Sequence, residues 1–453
     1  MAEPSEQQQP SRDHLQTLAE ALEQGSVDPV RTLLNSLRPA EIAHLLESMP
    51  PDPRTVLWQL VDPEDRGEVL LHVNDEVRAG LIRDMETGEL VAATEGLDTD
   101  DLADLLADLP GAVIHEVLRA MDKQNRQRLE SVLSYAEDTA GGLMDVNTIT
   151  VRADVTLDVV LRYLRLRGTI PELTDSLIVV SRYDKYRGVL PLTTLLTMEP
   201  DHTVAEVMDR DVDGIPATLA ATEVAKLFQD RDLISSPVVD ENGRLIGRIT
   251  IDDVVDVIRD EADHSLMSMA GLDEEEDIFA PVVSSARRRA VWLGINLFTA
   301  FLASWVIGLF EGTIHKIVAL AVLMPIVASM GGIAGSQTLT IVIRGMALGQ
   351  VGHTNARWLL FKELAVGVLN GMIWALVVAV IATAWFKNVH IGMIIAAAMI
   401  INLVCAALAG FGLPLLLRRV KIDPALAGSV LLTTVTDVVG FMAFLGLATI
   451  FLL

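Results

Sequence analysis

At 453 residues the chain exceeds the usual span of one domain. A formal charge of −26 beside 51% hydrophobic residues and a mean hydropathy of +0.40 excludes a uniform soluble globule, and the acidic balance disfavours nucleic acid as a partner. The conflict resolves at Pro281. Eleven basic and four acidic residues follow it, so residues 282–453 carry +7 and residues 1–281 carry −33. An acidic soluble part that favours cations therefore precedes a membrane part. Cys405 is the only cysteine, which leaves no disulfide within one chain and fits a reducing compartment.

Residues 1–13 read as a disordered polar tail, without the basic start and apolar run of a secretory signal. Residues 14–135 read as short amphipathic helices. AEIAHLLESMP (Ala40 to Pro50) recurs as DDLADLLADLP (Asp100 to Pro110) with its apolar positions matched, which predicts an α-helical superhelix of stacked repeats. Most acids of these helices read as a solvated face.

Residues 136–198 and 199–258 form two strand-then-helix units. SLIVVSRYDKYRGVLPLTTLL aligns with SSPVVDENGRLIGRITIDDVV when Gly188 is set on Gly247, which brings Val180 to Val239 and Leu192 to Ile251. Asn242-Gly243 predicts a hairpin turn. These α+β units resemble a tandem pair of CBS domains. That likeness implies an adenine nucleotide in the cleft, although the glycines equally fit plain turns. An acidic connecting helix is expected over 259–286. In ITIDDVVDVIRDEADHSLMSMAGLDEEEDIF, Asp252 or Asp253, Asp256 and Asp260 fall at helical spacing, so several carboxylates share a face. Like charges so spaced destabilise a helix, and a cation relieves them; a solvated connector is the alternative.

Residues 287–453 hold five apolar runs long enough to cross a bilayer: Ala290 to Phe310, Ile317 to Ile343, Leu364 to Phe386, Ile391 to Leu417 and Ala425 to the end. Basic residues gather before run one, between two and three, and between four and five, which predicts a cytoplasmic acidic part. Run two contains Pro325 and then SMGGIAGSQTLT, a pattern that predicts a broken or kinked helix or small-residue packing. Run five contains Asp437. A carboxylate at membrane depth is expensive unless it faces protein, water or a cation, and no Lys or Arg lies well inside another run to pair with it. Thr433, Thr434 and Thr436 lie on the preceding turn. Runs two and five are expected to build a path. Five spans are few to enclose one, so a homodimer is expected, with two Asp437 side chains near one axis.

The order of these parts, with EDTAGGLM at Glu137 to Met144, the PVV…GRLIG…DDV segment, IDPAL at Ile422 to Leu426 and TDVVGF around Asp437, resembles the MgtE magnesium channels. The resemblance runs from about residue 14 to the C-terminus. It implies a homodimer in the bacterial inner membrane whose spans two and five line a Mg²⁺ pore, with Asp437 as the pore acid. Gly331, Gly332, Ser336, Gln337, Ser429 and Thr433 are the implied pore lining. The implied sensor ligands for cytoplasmic Mg²⁺ are Asp100, Asp104, Asp232, Asp253, Asp256, Glu261 and Asp423, with the acidic helix as a plug under the pore. The chain departs from the family at the usual GGNTGNQ, here Gly331-Gly332-Ile333-Ala334-Gly335-Ser336-Gln337. It departs again at Ser429, Val430 and Thr433 before the pore acid, and at Ala220 and Thr222, where the family has carboxylates. The alternatives are a membrane-anchored nucleotide sensor and a channel for Co²⁺ or Mn²⁺, which oxygen ligands discriminate weakly. An enzyme is not expected: no nucleophile–base constellation is visible, and the nine histidines form no HExxH pair.

Overall fold

The computed structural model describes residues 27–453 apart from 95, 96, 98, 108, 110, 122, 273–275, 353 and 354. The tail expected over residues 1–13 lies outside the described residues. Nine short helices open the described chain: α1 (Val27–Leu34), α2 (Pro39–Glu47), α3 (Pro51–Leu60), α4 (Arg66–His72), α5 (Asp75–Arg83), α6 (Thr87–Ala93), α7 (Thr99–Ala107), α8 (Gly111–Ala120) and α9 (Lys123–Val132). The sequence repeat falls on α2 and α7. Its matched apolar positions are Ile42, Ala43, Leu45, Leu46 and Met49 in one copy, and Leu102, Ala103, Leu105, Leu106 and Leu109 in the other. All ten are buried. The i, i+3, i+4 spacing gives each short helix one apolar stripe, which is satisfied only by stacking on its neighbours.

Two three-stranded sheets follow. β1 (Thr150–Arg152), β2 (Ser176–Val180) and β3 (Tyr186–Pro191) form the first, with β1 parallel and β3 antiparallel to β2. Helices α10 (Leu157–Arg167), α11 (Leu192–Thr197) and α12 (Val204–Val207) accompany it. β4 (Ile215–Pro216), β5 (Ser235–Val239) and β6 (Leu245–Thr250) repeat the topology, with α13 (Ala221–Arg231) between β4 and β5. The internal alignment is reproduced in the register: Gly188 pairs with Val179, Gly247 pairs with Val238, and each pairing is followed by a bulge at the next valine. The two glycines are strand positions rather than turns. A Cβ on Gly188 would sit 2.2 Å from the Asp209 carbonyl oxygen, and one on Gly247 would sit 2.9 Å from that of Asp145, so both admit the close approach of another backbone segment. Asn242-Gly243 does make the turn, with Gly243 at φ +71°.

The nine helices and the second sheet unit share one hydrophobic core, which runs from Val30 and Leu46 through Leu106 to Phe228, Val238 and Val254. The first sheet unit keeps a separate core around Leu157, Val179 and Leu190. Helix α14 (Ile251–Met269) starts directly after β6, so the boundary expected between 258 and 259 falls inside a continuous helix. The connector expected over 259–286 ends earlier than proposed, because residues from Val282 onward already belong to the next helix.

The described residues fall into two compact units: those up to Asp263 with 276–281, and those from His264 through 272 with Val282–Leu453. In the first unit, Arg54 donates to Asp277 at 2.7 and 3.1 Å and to the Leu46 and Met49 carbonyls, while the Asp277 amide donates to Glu76. Buried and fully partnered, this pair holds residues 276–281 to the helical part.

The second unit contains five helices long and apolar enough to cross a membrane. They are α15 (Val282–Gly308), α17 (Ala319–Ala347), α18 (Ala356–Phe386), α19 (Val389–Arg419) and α20 (Pro424–Leu452), here called spans one to five, with the short α16 (Glu311–Lys316) after span one. Spans one and three begin eight residues before their apolar runs. Hydropathy marks only the lipid-facing stretch, whereas the backbone stays helical through the flanking Arg287–Arg289, Arg357 and Lys362. Span two is not broken. Pro325 and the glycine run lie inside one helix, and the proline removes a single backbone donor. Leu323 and Val327 of span two, Ile395 and Ala398 of span four, and Phe444 and Leu445 of span five share a core.

Candidate functional site

Span five starts on a cap. Asp423 accepts hydrogen bonds from the Ala425 and Leu426 amides at 2.9 and 3.1 Å, and Pro424 occupies the first turn, where its missing N–H costs nothing. His264, near the end of α14, lies 3.5 Å from the same carboxylate. Met269 of α14 packs against Leu339 and Ile343 of span two and Ala425 and Leu432 of span five. The last turns of α14 therefore belong with the membrane helices, beside the ends of spans two and five.

Asp437 sits in the middle of span five, half-buried, with no hydrogen bond and no basic partner among the described residues. The hydroxyls before it are turned into their own helix. Thr433 donates to Ser429 O at 2.9 Å, Thr434 to Val430 O at 2.7 Å, and Thr436 to Leu432 O and Thr433 O at 3.1 Å. Each donor is used internally, and the oxygen lone pairs are what remain for an incoming group. Thr433 is exposed and Thr436 is buried, so only the former is positioned to offer them.

On span two, Gly331 is buried against Asn402 of span four, whereas a Cβ on Gly332 would meet nothing. Ser336 and Gln337 are exposed, and the Ser336 hydroxyl donates to Ile333 O at 2.9 Å. Gln337 borders a cavity of about 100 Å³ with Thr338, Lys362, Glu363 and Asn370. Sequence reasoning missed Glu363, which lay just outside the expected third run. It is only 3% exposed, takes a hydrogen bond from Thr338 at 3.0 Å and pairs with Lys362 at 2.6 Å. Helical continuation of the run toward Ala356 was the signal that would have found it.

The expected sensor acids separate. Asp253, at the start of α14, accepts from the Thr250 amide at 3.3 Å. Burial, with the charges of Asp252 and Asp101, pushes its carboxyl up to about 7. Asp101 on α7 was not predicted, although it lies beside the expected Asp100. The Asp100 side chain lies outside the described ones, and Asp104 on the same helix is exposed. Asp232 is an exposed left-handed cap at the end of α13. Asp256 and Glu261 are exposed along α14, where Arg259 lies 3.6 Å from Asp256 and 3.5 Å from Asp260. Burial raises the Asp260 carboxyl against the pull of that arginine. Thus Asp252 and Asp101 each lie close enough to repel Asp253, while Asp104, Asp232, Asp256 and Glu261 remain on open faces. Among the described residues no three acids, histidines or cysteines converge as a metal cluster.

Comparison with known proteins decides the family. The MgtE model, a divalent cation transporter family, matches residues 324–447; the MgtE intracellular N domain matches 37–138 and the CBS domain matches 204–260. The magnesium transporter MgtE of Thermus thermophilus is 31% identical over 441 residues, covering 96% of this chain and 98% of that one. The chain belongs to the MgtE magnesium transporter family. The MgtE of Bacillus subtilis is 27% identical, covering 95% of this chain and 96% of its own. A crystal structure of the cytosolic domain of the Mg²⁺ channel MgtE in complex with ATP is 33% identical and covers 54% of this chain and 99% of its own, with a TM-score of 0.49.

One feature of this MgtE chain runs against its charge. Within a part carrying −33, Arg152, Arg182, Arg187 and Arg210 gather around a pocket of about 430 Å³ in the first sheet unit, with Ser181 and Asp154 on its wall. Guanidinium groups in such numbers suit the oxygens of an anion.

Proposed function

We propose that the chain is a Mg²⁺ channel for magnesium uptake across the bacterial cell membrane. It works as a homodimer and is gated by cytoplasmic Mg²⁺ acting on the acidic part. The observation that carries the proposal is Asp437, a half-buried carboxylate in the middle of an apolar span, without a partner among the described residues. Such a group is tolerated at membrane depth when it meets water or a cation. Mg²⁺ is small, prefers octahedral oxygen and sheds water reluctantly. Two Asp437 carboxylates, one from each copy, accept hydrogen bonds from the ion's waters and offset its charge while its shell stays largely intact. Entry is then favourable and exit remains open. Gly332, Ser336 and Thr433 are left uncovered in a single chain, as faces that meet a second copy or a water-filled path would be.

Gating follows from crowding. Asp253 holds its proton up to about 7 because it is buried and because Asp252 and Asp101 lie near it. A hard cation replaces that proton and draws the acids together, and carboxylate oxygens are the donors Mg²⁺ prefers. Ion binding thus favours the compact arrangement over any state that separates α7 from α14, which shifts the population toward closure. Asp423 joins the closed state through α14 rather than through Asp256 or Glu261: its carboxylate already caps span five and faces His264.

The arginine pocket is the seat of an adenine nucleotide in this reading, its phosphates meeting Arg182, Arg187 and Arg210. Arg187→Ala with Arg210→Ala should abolish ATP protection of the first sheet unit from proteolysis. Full protection in that variant would move the nucleotide elsewhere.

Liposome uptake tests the whole proposal. Purified protein should admit Mg²⁺ when internal Mg²⁺ is low and stop when it is high. Uptake of Mn²⁺ or Co²⁺ with no Mg²⁺ flux would favour a channel for other divalent ions, and no flux of any ion would favour an anchored sensor.

A further inference from the structure

Asn402 of span four is fully buried, and its two polar atoms are treated unequally. Its amide nitrogen donates to the Val327 carbonyl of span two at 2.8 Å, while its side-chain oxygen has no partner. The carboxamide lies between two glycines on the other two helices. A Cβ on Gly331 of span two would come 2.2 Å from the Asn402 amide nitrogen, and one on Gly440 of span five 2.7 Å from the same atom. A flat carboxamide fits that slot edge-on, whereas a leucine of similar length carries a tetrahedral branch that would strike both backbones. Packing alone does not account for a polar group there, since burying an unpaired oxygen is unfavourable.

Gly331 opens the stretch that ends at Gln337, and Gly440 is one turn from Asp437, about 4.5 Å along the helix axis. Resting on the reading that spans two and five line the path, we propose that Asn402 is a positioning residue for permeation. By filling the slot between Gly331 and Gly440 and holding the Val327 carbonyl, it fixes the separation and axial register of those two spans at the level of Asp437, and so sets which hydrated cation passes. A site that recognises an ion through its water shell depends on spacing between fixed oxygens. A loose supporting residue therefore costs discrimination before it costs assembly.

The test is uptake of Mg²⁺, Mn²⁺ and Ca²⁺ by the full chain in liposomes, normalised to inserted protein. Asn402→Ala should raise the Mn²⁺ and Ca²⁺ rates relative to Mg²⁺ by about fivefold or more. Gly331→Ala should lose Mg²⁺ flux about tenfold while Asn402 is present, and Gly331→Ala with Asn402→Ala should recover it, because the clash and its cause are removed together. Should Asn402→Ala insert poorly, Asn402→Ser keeps a small polar group without the donating amide and carries the same expectation. Wild-type ion ratios in these variants, or a lower flux at unchanged ratios, would overturn the proposal and leave Asn402 a packing residue. So would full activity of Gly331→Ala beside an intact Asn402. Asp437→Ala, run in parallel, separates the two levels: wild-type flux there refutes the path along spans two and five whatever Asn402 does.

Discussion

Three partly or fully buried acids in this molecule keep different company. Glu363 is enclosed in span three and fully answered, by Thr338 and by Lys362. Asp437 stands in span five with no answer among the described residues. Asp253 is buried near two other acids, Asp252 and Asp101. A buried acid on a membrane helix is most simply a structural ion pair, and that simple case is realised at Glu363. The contrast gives Asp437 its meaning, since the same bundle that supplies a lysine and a threonine to one carboxylate supplies neither to the other. A lone acid suits an ion that passes. A crowded set suits an ion that stays, because the repulsion it relieves is built into the fold.

The largest effect should come at Asp437. Asp437→Ala should insert normally and lose Mg²⁺ flux on the order of a hundredfold, since in the proposed path its carboxylate offsets the charge of the divalent ion. Glu363→Gln sharpens the contrast: it should lower the yield of inserted protein, and flux per inserted molecule should hold. Equal loss of per-molecule flux in both variants would erase the distinction between a paired and an unpaired acid.

Next in size is the sensor. The triple variant Asp253→Ala, Asp256→Ala, Glu261→Ala should need at least about tenfold more internal Mg²⁺ to stop uptake, by loss of the mass-action stabilisation that the ion provides. Asp256 and Glu261 are exposed and Arg259 already faces Asp256, so Asp253→Ala alone should produce most of that shift. A triple variant inhibited like the wild type would make α14 a connector and place any sensing elsewhere.

Much of this was legible before the structure. The helical repeat and the sheet-unit repeat each placed buried residues correctly, because both depend on apolar positions at fixed periods: Ile42 against Leu102, and Gly188 against Gly247. The five spans were visible because each is an apolar stretch long enough to cross a bilayer. Their ends were not, since helix continues past the apolar stretch through charged residues, which hid Glu363 beyond a boundary drawn at Leu364. Span two looked breakable from Pro325 and its glycines, yet it packs between spans four and five, and its small residues serve close approach. The acids of the proposed sensor were legible as a composition and not as a geometry. Helical spacing put Asp252 or Asp253 with Asp256 and Asp260 on one face, but only the fold places Asp101 near Asp253 and turns Asp423 into a cap. Asn402 left no trace in the sequence, because one asparagine in an apolar run carries no period.

The smallest effect expected is also the one that separates a crowded acid from a merely exposed one. A carboxyl that titrates near 7 in the folded protein and near 4 when unfolded favours the folded state fully below pH 4, and that contribution is lost as pH rises from 4 through 7. Three pKa units correspond to about 4 kcal/mol, so without Mg²⁺ the first unit should lose stability across this window and level off above it. Mg²⁺ needs the ionised form, so ion and proton compete for Asp253. Between pH 8 and pH 7 the Mg²⁺ concentration that half-protects residues 251–263 from proteolysis should rise about twofold at most; between pH 7 and pH 6 it should rise about fivefold, one proton being displaced for each ion bound. Asp253→Asn should flatten that dependence, since nothing is left to titrate there, while Asp256→Asn should preserve it, because that side chain lies on an open face. A wild type whose Mg²⁺ requirement is the same at pH 6 and pH 8 would mean that Asp253 is not a ligand, and that its crowding by Asp252 and Asp101 is borne by the fold without an ion.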